Sequence, residues 1–197
     1  MVEIRYTGDV LWDRIEQAVE KVRDRLNRFC AAMEQASIPY AVVGGNAVQV
    51  WVAQVDEGAI RNTRDVDILI DRDSLDEAIF AAKEHGFHYH VVNGVSLFLD
   101  GEDNKPSEAV HLVFAGELVK PHETTPTPTL DEVEFVKSTR TVSLESLVLM
   151  KLTSHRLKDR VHIQDMIQVG LIDETWTDHF EEPLKSRLQE LLDDPYG

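Results

Sequence analysis

Hydrophobic positions near the start of the chain recur at alternating spacings of three and four residues. The run consists of Trp12, Ile15, Val19, Val22, Leu26, Phe29 and Met33. This spacing places one apolar stripe along a helix, so we predict an amphipathic α-helix here. The stripe can be buried in two ways. We expect it to pack on the protein's own core, and a dimeric coiled coil is the alternative.

The next hundred or so residues alternate between strand and helix patterns. Apolar runs predict strands over 39–43, 65–70 and 109–114, and strands over 88–92 and 95–99 joined by the turn pair Asn93-Gly94. Helices are predicted over 46–55 and 74–84, the second opened by a capping box of Ser74 and Glu77. Polar loops are predicted over 100–106 and 121–129.

After the second loop the pattern becomes helical. Ser143 is the predicted N-cap of a helix, and further helices are predicted over about 161–170 and 180–192. The fold class is therefore α+β. We expect residues 1–140 to form a mixed sheet with helices and residues 141–197 to form a C-terminal helical part packed on it.

Charge and composition exclude several classes of function and indicate a cellular compartment. A net charge of −16 argues against a broad DNA-binding surface, since duplex binding depends on cationic contacts to phosphates. The one cysteine, Cys30, excludes an internal disulfide, and no apolar stretch is long enough to span a membrane. With no apolar signal segment at the N-terminus, these features predict a cytoplasmic protein.

Basic residues are concentrated in the segment 137–162, in contrast to the acidic remainder. They are Lys137, Arg140, Lys151, Arg156, Lys158 and Arg160. Such a segment could bind a compact anionic ligand, or it could be the solvated face of a helix. Composition leaves both alternatives open.

The candidate chemistry lies in two neighbouring motifs. Asp65 and Asp67 are two residues apart on a predicted strand, so their side chains point to one face. Like charges this close repel, and a divalent cation removes the conflict; hard carboxylate oxygens suit Mg²⁺. Gly44-Gly45, between a strand and a helix, permits close approach of the backbone to a ligand, and the helix N-terminus offers free N–H groups to a phosphate.

The order strand, Gly44-Gly45, helix, then Arg61-x-Thr63-x-Asp65-x-Asp67 resembles the DNA polymerase β-type nucleotidyltransferase superfamily. Within it, the chain is similar to the minimal AbiEii-like branch, many members of which are toxin or phage-defence proteins. The resemblance implies that the two aspartates hold Mg²⁺ or Mn²⁺ ions bridging a nucleoside triphosphate. It also implies that the glycine turn cradles the phosphates.

A second, looser match runs from Lys151 to Asp165 and is similar to the family's C-terminal helical segment, in which a lysine and an arginine contact the nucleotide. The resemblance therefore assigns catalytic roles to Asp65, Asp67 and Lys151. The expected nucleotide contacts are Gly44, Gly45, Asn46, Arg61, Thr63, Arg156 and Lys158.

Helix geometry refines the expectation for the basic segment. On one continuous helix Lys151 and Lys158 share a face, whereas Arg156 projects away from it. We expect Lys151 to contact the nucleotide, because an unpaired ammonium among apolar neighbours is costly. The alternative is a lysine whose apolar stem is buried while its ammonium reaches solvent.

One position departs from the family pattern. The superfamily often has a third acidic ligand on a later strand, and His111 stands at that position here. Histidine could ligate a softer ion such as Mn²⁺, or it could be a hydrogen-bonded core residue. Glu108 and Glu117 flank the strand and are candidates for the missing oxygen ligand.

The expected function is metal-dependent transfer of a nucleoside monophosphate from a nucleoside triphosphate to a hydroxyl of an RNA, a protein or a small molecule. The resemblance also implies a toxin or defence role, and such a role is compatible with a protein partner that neutralises the activity. The alternative is a catalytically inert module of the same fold that binds a nucleotide or a partner.

Overall fold

The computed structural model describes residues 6–101, 105–121, 123 and 125–196. The described residues form the strands β1 (Tyr40–Val43), β2 (Val66–Ile70), β3 (Phe87–Val92), β4 (Val95–Asp100), β5 (Val110–Phe114), β6 (Val133–Val136) and β7 (Thr139–Val142). Their α-helices are α1 (Asp9–Gln35), α2 (Gly44–Val52), α3 (Leu75–Glu84), α4 (Leu144–Ser154), α5 (Leu157–Gln168) and α6 (Leu184–Asp193). Met1–Arg5 and the middle of the predicted 100–106 loop lie outside the described residues.

One mixed sheet contains all seven of these strands, in the order β3-β4-β5-β2-β1-β7-β6. β2 runs antiparallel to β1 and parallel to β5, and β7 runs parallel to β1. The predicted α+β class and mixed sheet are confirmed. β2 lies at the centre, so a residue on it has a neighbour on either side.

The two faces of the sheet have different roles. α1 covers one face, where Phe29 contacts the rings of Phe87 and Phe98 at centroid distances of 5.3 and 5.1 Å. Val66, Ile68 and Ile70 are fully buried. Because side chains alternate along a strand, Asp67 points to the opposite face.

The C-terminal helices complete the same core. Leu147, Val148, Ile163, Met166 and Leu188 are fully buried in one apolar cluster with the strands. Residue 140 lies within β7, so our division at 140 cuts through the sheet. The helical part instead begins after the N-cap Ser143, whose side chain accepts a hydrogen bond from the Ser146 N–H.

Two local expectations were wrong. The apolar stripe of α1 packs on the core only in the second half of the helix, where Phe29, Ala32 and Met33 are buried. Every residue from Asp9 to Lys21 is exposed. The Ser74–Glu77 capping box is also absent: Ser74 ends a short 3-10 turn, and its side chain makes no capping hydrogen bond to α3.

None of the helices that the described residues form is long and apolar enough to cross a membrane.

Candidate active site

The centre of the site is the contact between Asp67 and the first residue of α2. Gly44 follows directly on β1 and adopts a φ of +67°. A Cβ atom on Gly44 would lie 2.0 Å from Asp67 Oδ2, well inside van der Waals contact. Only glycine allows this approach, so the Gly44-Gly45 turn brings the N-terminus of α2 against a carboxylate.

Asp67 lies between two strands that supply different neighbours. Its partner in β1 is Val43, and its partner in β5 is His111. The His111 Nδ1 atom is 3.7 Å from Asp67 Oδ1. Burial raises the pKa of Asp67, and the charges of His111, Lys151 and Lys158 offset only part of that effect. The site therefore favours a cation near this carboxylate.

Asp65 is the second carboxylate and lies just before the first residue of β2. Its Oδ2 atom is 3.8 Å from Lys158 Nζ, and its carbonyl oxygen accepts a hydrogen bond of 2.7 Å from Asn46 Nδ2. The Asn46 side chain thus fixes the chain at Asp65. Because this side chain is engaged, Asn46 would contact a phosphate through its backbone N–H, which lies in the first turn of α2.

Two residues of the Arg-x-Thr-x-Asp-x-Asp motif support the turn and the loop. Thr63 packs against Gly45, where a Cβ atom would lie 2.8 Å from the Thr63 hydroxyl. Arg61 donates two hydrogen bonds of 2.9 Å to the carboxylate of Asp165 on α5. Arg61 therefore ties the loop before β2 to α5, a role that we did not predict.

Lys151 belongs to a buried ionic cluster. Its Nζ donates a hydrogen bond of 3.0 Å to Asp159, which is 0% exposed. Arg156 and Ser154 donate bonds of 2.7 Å to the other oxygen of Asp159. Our expectation of an otherwise unpaired ammonium was wrong, because Asp159 pairs with it.

The pKa values of this cluster follow from burial and charge together. Burial lowers the pKa of Lys151, while Asp159 and Asp67 act in the opposite direction. Burial alone would raise the pKa of Asp159, but Arg156, Lys151 and Ser154 hold it well below the usual range. Asp67 acts on both Lys151 and Arg156, so this cluster lies within electrostatic range of the carboxylate pair.

The chain bends between Lys151 and Lys158. α4 ends at Ser154, His155 adopts the left-handed conformation with φ 44°, and α5 begins at Leu157. The single helix that we expected is therefore two helices. This break is what lets Arg156 and Lys151 converge on one carboxylate, which a continuous helix would not permit.

The candidate metal ligands form an incomplete set by themselves. Among the described residues, no three histidine, cysteine or carboxylate side chains converge closely enough to hold a metal ion. Glu117 is engaged elsewhere, accepting a bond of 2.6 Å from Arg72. Asp65 and Asp67, with His111 adjacent, suit an ion that takes one or two carboxylates and completes its shell with phosphate oxygens and water, as Mg²⁺ does.

Gly44 provides a direct test of this geometry. Gly44→Ala is expected to lower the melting temperature more than Gly86→Ala does. Both glycines have a positive φ, at +67° and +84°, so both variants carry the strain of roughly 1–2 kcal/mol of a left-handed alanine. A Cβ at Gly86 meets no atom within 4 Å, whereas one at Gly44 collides with Asp67.

Thermal denaturation of the two purified variants measures the difference. Equal melting temperatures would show that Asp67 does not lie against Gly44.

Sequence reasoning missed the roles of two acidic residues, Asp159 within the basic segment and Asp165 just beyond it. Asp159 and Asp165 bind Lys151, Arg156 and Arg61. A signal was present in the sequence, since Asp159 is one of few acids among the basic residues of that segment. A buried cation usually has an acidic partner.

Comparison with known proteins identifies solved structures that have a similar fold. No protein-family model and no curated protein sequence matches the chain. Among solved structures, an antigenic nucleotidyltransferase-like protein from Paracoccidioides brasiliensis is similar with a TM-score of 0.57 and 16% identity. The match covers 90% of each chain.

The antibiotic-resistance factor ANT(2'')-Ia is similar in two structures, both with a TM-score of 0.54. Its solution structure is 13% identical and matches 91% of this chain and 94% of the other. Its crystal structure in complex with adenylyl-2''-tobramycin is 15% identical and matches 90% of this chain and 99% of the other. At these identities the likeness concerns the fold. The chain has a nucleotidyltransferase-like α+β fold.

Proposed function

We propose that the protein transfers a nucleoside monophosphate from a nucleoside triphosphate to an acceptor hydroxyl. The acceptor oxygen forms a bond to the α-phosphorus, the bond from that phosphorus to the bridging oxygen breaks, pyrophosphate leaves, and the hydroxyl proton is released to water. The observation that carries the proposal is that Asp67 lies against the first residue of α2 and that Asn46 of the same helix holds the chain at Asp65, in a fold of this class.

The carboxylate pair would hold Mg²⁺ or Mn²⁺. Such an ion, when bound, neutralises the triphosphate and lowers the pKa of the attacking hydroxyl. The first turn of α2 offers backbone N–H groups that no helical carbonyl occupies, and these suit phosphate oxygens. Gly44 lets Asp67 lie directly against this helix N-terminus, so a cation held by that carboxylate would lie beside the same N–H groups.

The basic residues would stabilise the leaving group. Lys158, 3.8 Å from Asp65, lies near enough to turn to a phosphate bound beside that carboxylate. Lys151 and Arg156 are fixed by Asp159 and lie within electrostatic range of Asp67. Cations fixed before the substrate binds stabilise developing charge without reorganisation, which is the main requirement of phosphoryl-type chemistry.

The proposal also concerns the kind of molecule that carries the acceptor hydroxyl. The ANT(2'')-Ia complex holds an adenylylated small molecule, so a small-molecule hydroxyl is one candidate here, beside RNA and protein. The resemblance to the AbiEii-like branch supports a toxin or defence role with a neutralising protein partner. Growth arrest on expression, abolished by Asp65→Asn, is the expected result of that role.

The function is tested with labelled nucleoside triphosphates. With Mg²⁺ or Mn²⁺ and a panel of acceptors, the purified protein is expected to release pyrophosphate and label one acceptor class, and Asp65→Asn is expected to do neither. Absence of pyrophosphate with all four triphosphates, both metals and a cell extract as the acceptor source would contradict the proposal.

His111 favours a second candidate, an inert nucleotide-binding module. It stands opposite Asp67, at the register position where the family often has an acidic ligand. Such a module would bind without turnover. A ligand at about 100 times its dissociation constant stabilises the native state by about 2.7 kcal/mol, which is several degrees of melting temperature. A metal-dependent thermal shift without pyrophosphate release would therefore select the inert module.

A further inference from the structure

The first half of α1 presents an apolar stripe that nothing in the described protein covers. Trp12 is 67% exposed, Ile15 44% and Val19 38%. The part in which every residue is exposed, Asp9 to Lys21, is about 20 Å of helix at 1.5 Å per residue. Three large apolar side chains on one helix face, all in water, are typical of a protein–protein interaction site.

The spacing of this stripe is that of a coiled-coil seam. Trp12 and Val19 occupy the first position of successive heptads, and Ile15 and Val22 occupy the fourth. Val22 is half-buried, at the point where the stripe passes onto the protein's own core. The exposed segment therefore contains two layers of a seam and the start of the next.

The stripe is complementary to itself when two copies run antiparallel. With a twofold axis that crosses the seam at the height of residue 17, Trp12 faces Val22 of the second copy and Ile15 faces its Val19. Each layer then pairs a larger side chain with a smaller one, as interdigitating packing requires. Ala18 lies beside the axis, where its small side chain lets the two helices approach closely.

The charges at one edge of the seam favour the same arrangement. Asp9 and Arg23 both occupy the position next to the seam, and the antiparallel register places Asp9 of one copy beside Arg23 of the other. Within one helix they are 14 residues, or about 21 Å, apart and do not meet. The axis also brings the two Glu16 side chains together, which is the unfavourable contact of this register.

We propose that the exposed half of α1 is a dimerisation surface whose partner is a second, antiparallel copy of the same helix. α1 covers the face of the sheet opposite the one to which Asp67 points, so dimerisation leaves the candidate active site open. The interface is small, and we expect a reversible dimer.

Sedimentation velocity between about 1 and 200 µM, a range suited to a weak interface, tests the proposal on the full chain. Wild type is expected to shift from monomer to dimer, and Trp12→Glu/Ile15→Glu to stay monomeric. The matched control is Phe80→Glu, which removes a 70% exposed apolar residue from α3 and should leave the dimer intact. Circular dichroism checks that every variant keeps its helix content.

Charge reversal tests the orientation. Asp9→Lys and Arg23→Glu are each expected to raise the dimer dissociation constant on the order of tenfold through two symmetry-related pairs, and the double variant to restore it. Glu16→Gln is expected to tighten the dimer. A wild type that is still monomeric at about 200 µM would overturn the proposal. A dimer that persists in Trp12→Glu/Ile15→Glu would overturn it as well. Failure of the double variant to recover would overturn the antiparallel register.

Discussion

Asp67→Asn is expected to lower the rate of nucleotidyl transfer by roughly 10²- to 10³-fold, the range that the loss of one preorganised charge-stabilising group costs. The ligand-free variant is expected to be as stable as wild type or more stable. Burial raises the pKa of Asp67, which means that the charged carboxylate is unfavourable in the native state without a cation. Asparagine keeps the shape and removes the charge.

The stability effect has a defined pH dependence. The folded pKa of Asp67 lies above the unfolded value of about 3.9. The stability contributed by this group is therefore fully present below the unfolded pKa and is lost as the pH rises through the folded pKa. Wild type should lose stability over that interval relative to Asp67→Asn. Urea denaturation with a chelator present, from pH 4 to pH 8, measures the difference.

The matched control is Asp71→Asn, an exposed acid immediately after β2. It should change neither the rate nor the pH dependence of stability. Asp65→Asn should reproduce the loss of activity. A lower melting temperature of ligand-free Asp67→Asn would show that the carboxylate supports the fold, and full activity would remove it from the site.

The sequence predicted the parts of the fold in which local chemistry and burial agree. Strands β1, β2 and β5 are apolar runs buried in the sheet, and each formed within a residue or two of the prediction. The hairpin of β3 and β4 turns at Asn93 and Gly94, whose φ values of 52° and 81° are those that this residue pair adopts easily.

The hairpin of β6 and β7 was not predicted, because its strands and its turn carry no clear local pattern. Its strands have four residues each, and its turn residues, Lys137 and Ser138, adopt φ values of 46° and 70°. Neither residue type is enriched at positive φ, so the turn lacks the asparagine or glycine that marks a hairpin in a sequence. Pairing of β7 with β1 stabilises the hairpin through residues about a hundred positions away, which no local pattern reveals.

The candidate site likewise contains residues that the sequence revealed and residues that it did not. The two aspartates and the glycine turn were evident because each has a strict local requirement, a shared strand face or a positive φ. The cluster around Lys151 was not, because the left-handed residue that breaks the helix is His155 and not the glycine or asparagine that usually marks a helix end. Without the break, Lys151 and Asp159 lie on one helix more than two turns apart and do not meet.

Asp159→Asn is expected to cause the largest loss of stability of any substitution considered. Lys151 is 5% exposed and Asp159 is 0% exposed, so the variant leaves an ammonium buried without its counter-charge. Breaking a buried ion pair from one side costs about 3–5 kcal/mol. For a chain of this length that corresponds to a fall in melting temperature of roughly 6–20 °C.

The pH dependence identifies the buried ammonium as the cause. Burial already lowers the pKa of Lys151, and Asp159 is the main influence that raises it. In Asp159→Asn the folded pKa of Lys151 should fall further below the unfolded value of about 10.4. Stability then rises with pH between those two values, because the unfolded state binds the proton that the folded state has lost. The variant should regain stability between pH 7 and pH 10 relative to wild type.

Lys151→Met added to Asp159→Asn removes the stranded charge and should restore most of the lost stability, because apolar replacement of a buried pair is often neutral. Asp165→Asn is the matched control: it breaks the pair with Arg61, whose side chain is 59% exposed, and should cost much less. Chemical denaturation of wild type, Asp159→Asn, Lys151→Met and the double variant yields the coupling free energy between Lys151 and Asp159. A coupling near zero would mean that Asp159 does not hold Lys151, and Arg156 and Lys158 would then be the cations left beside the carboxylate pair.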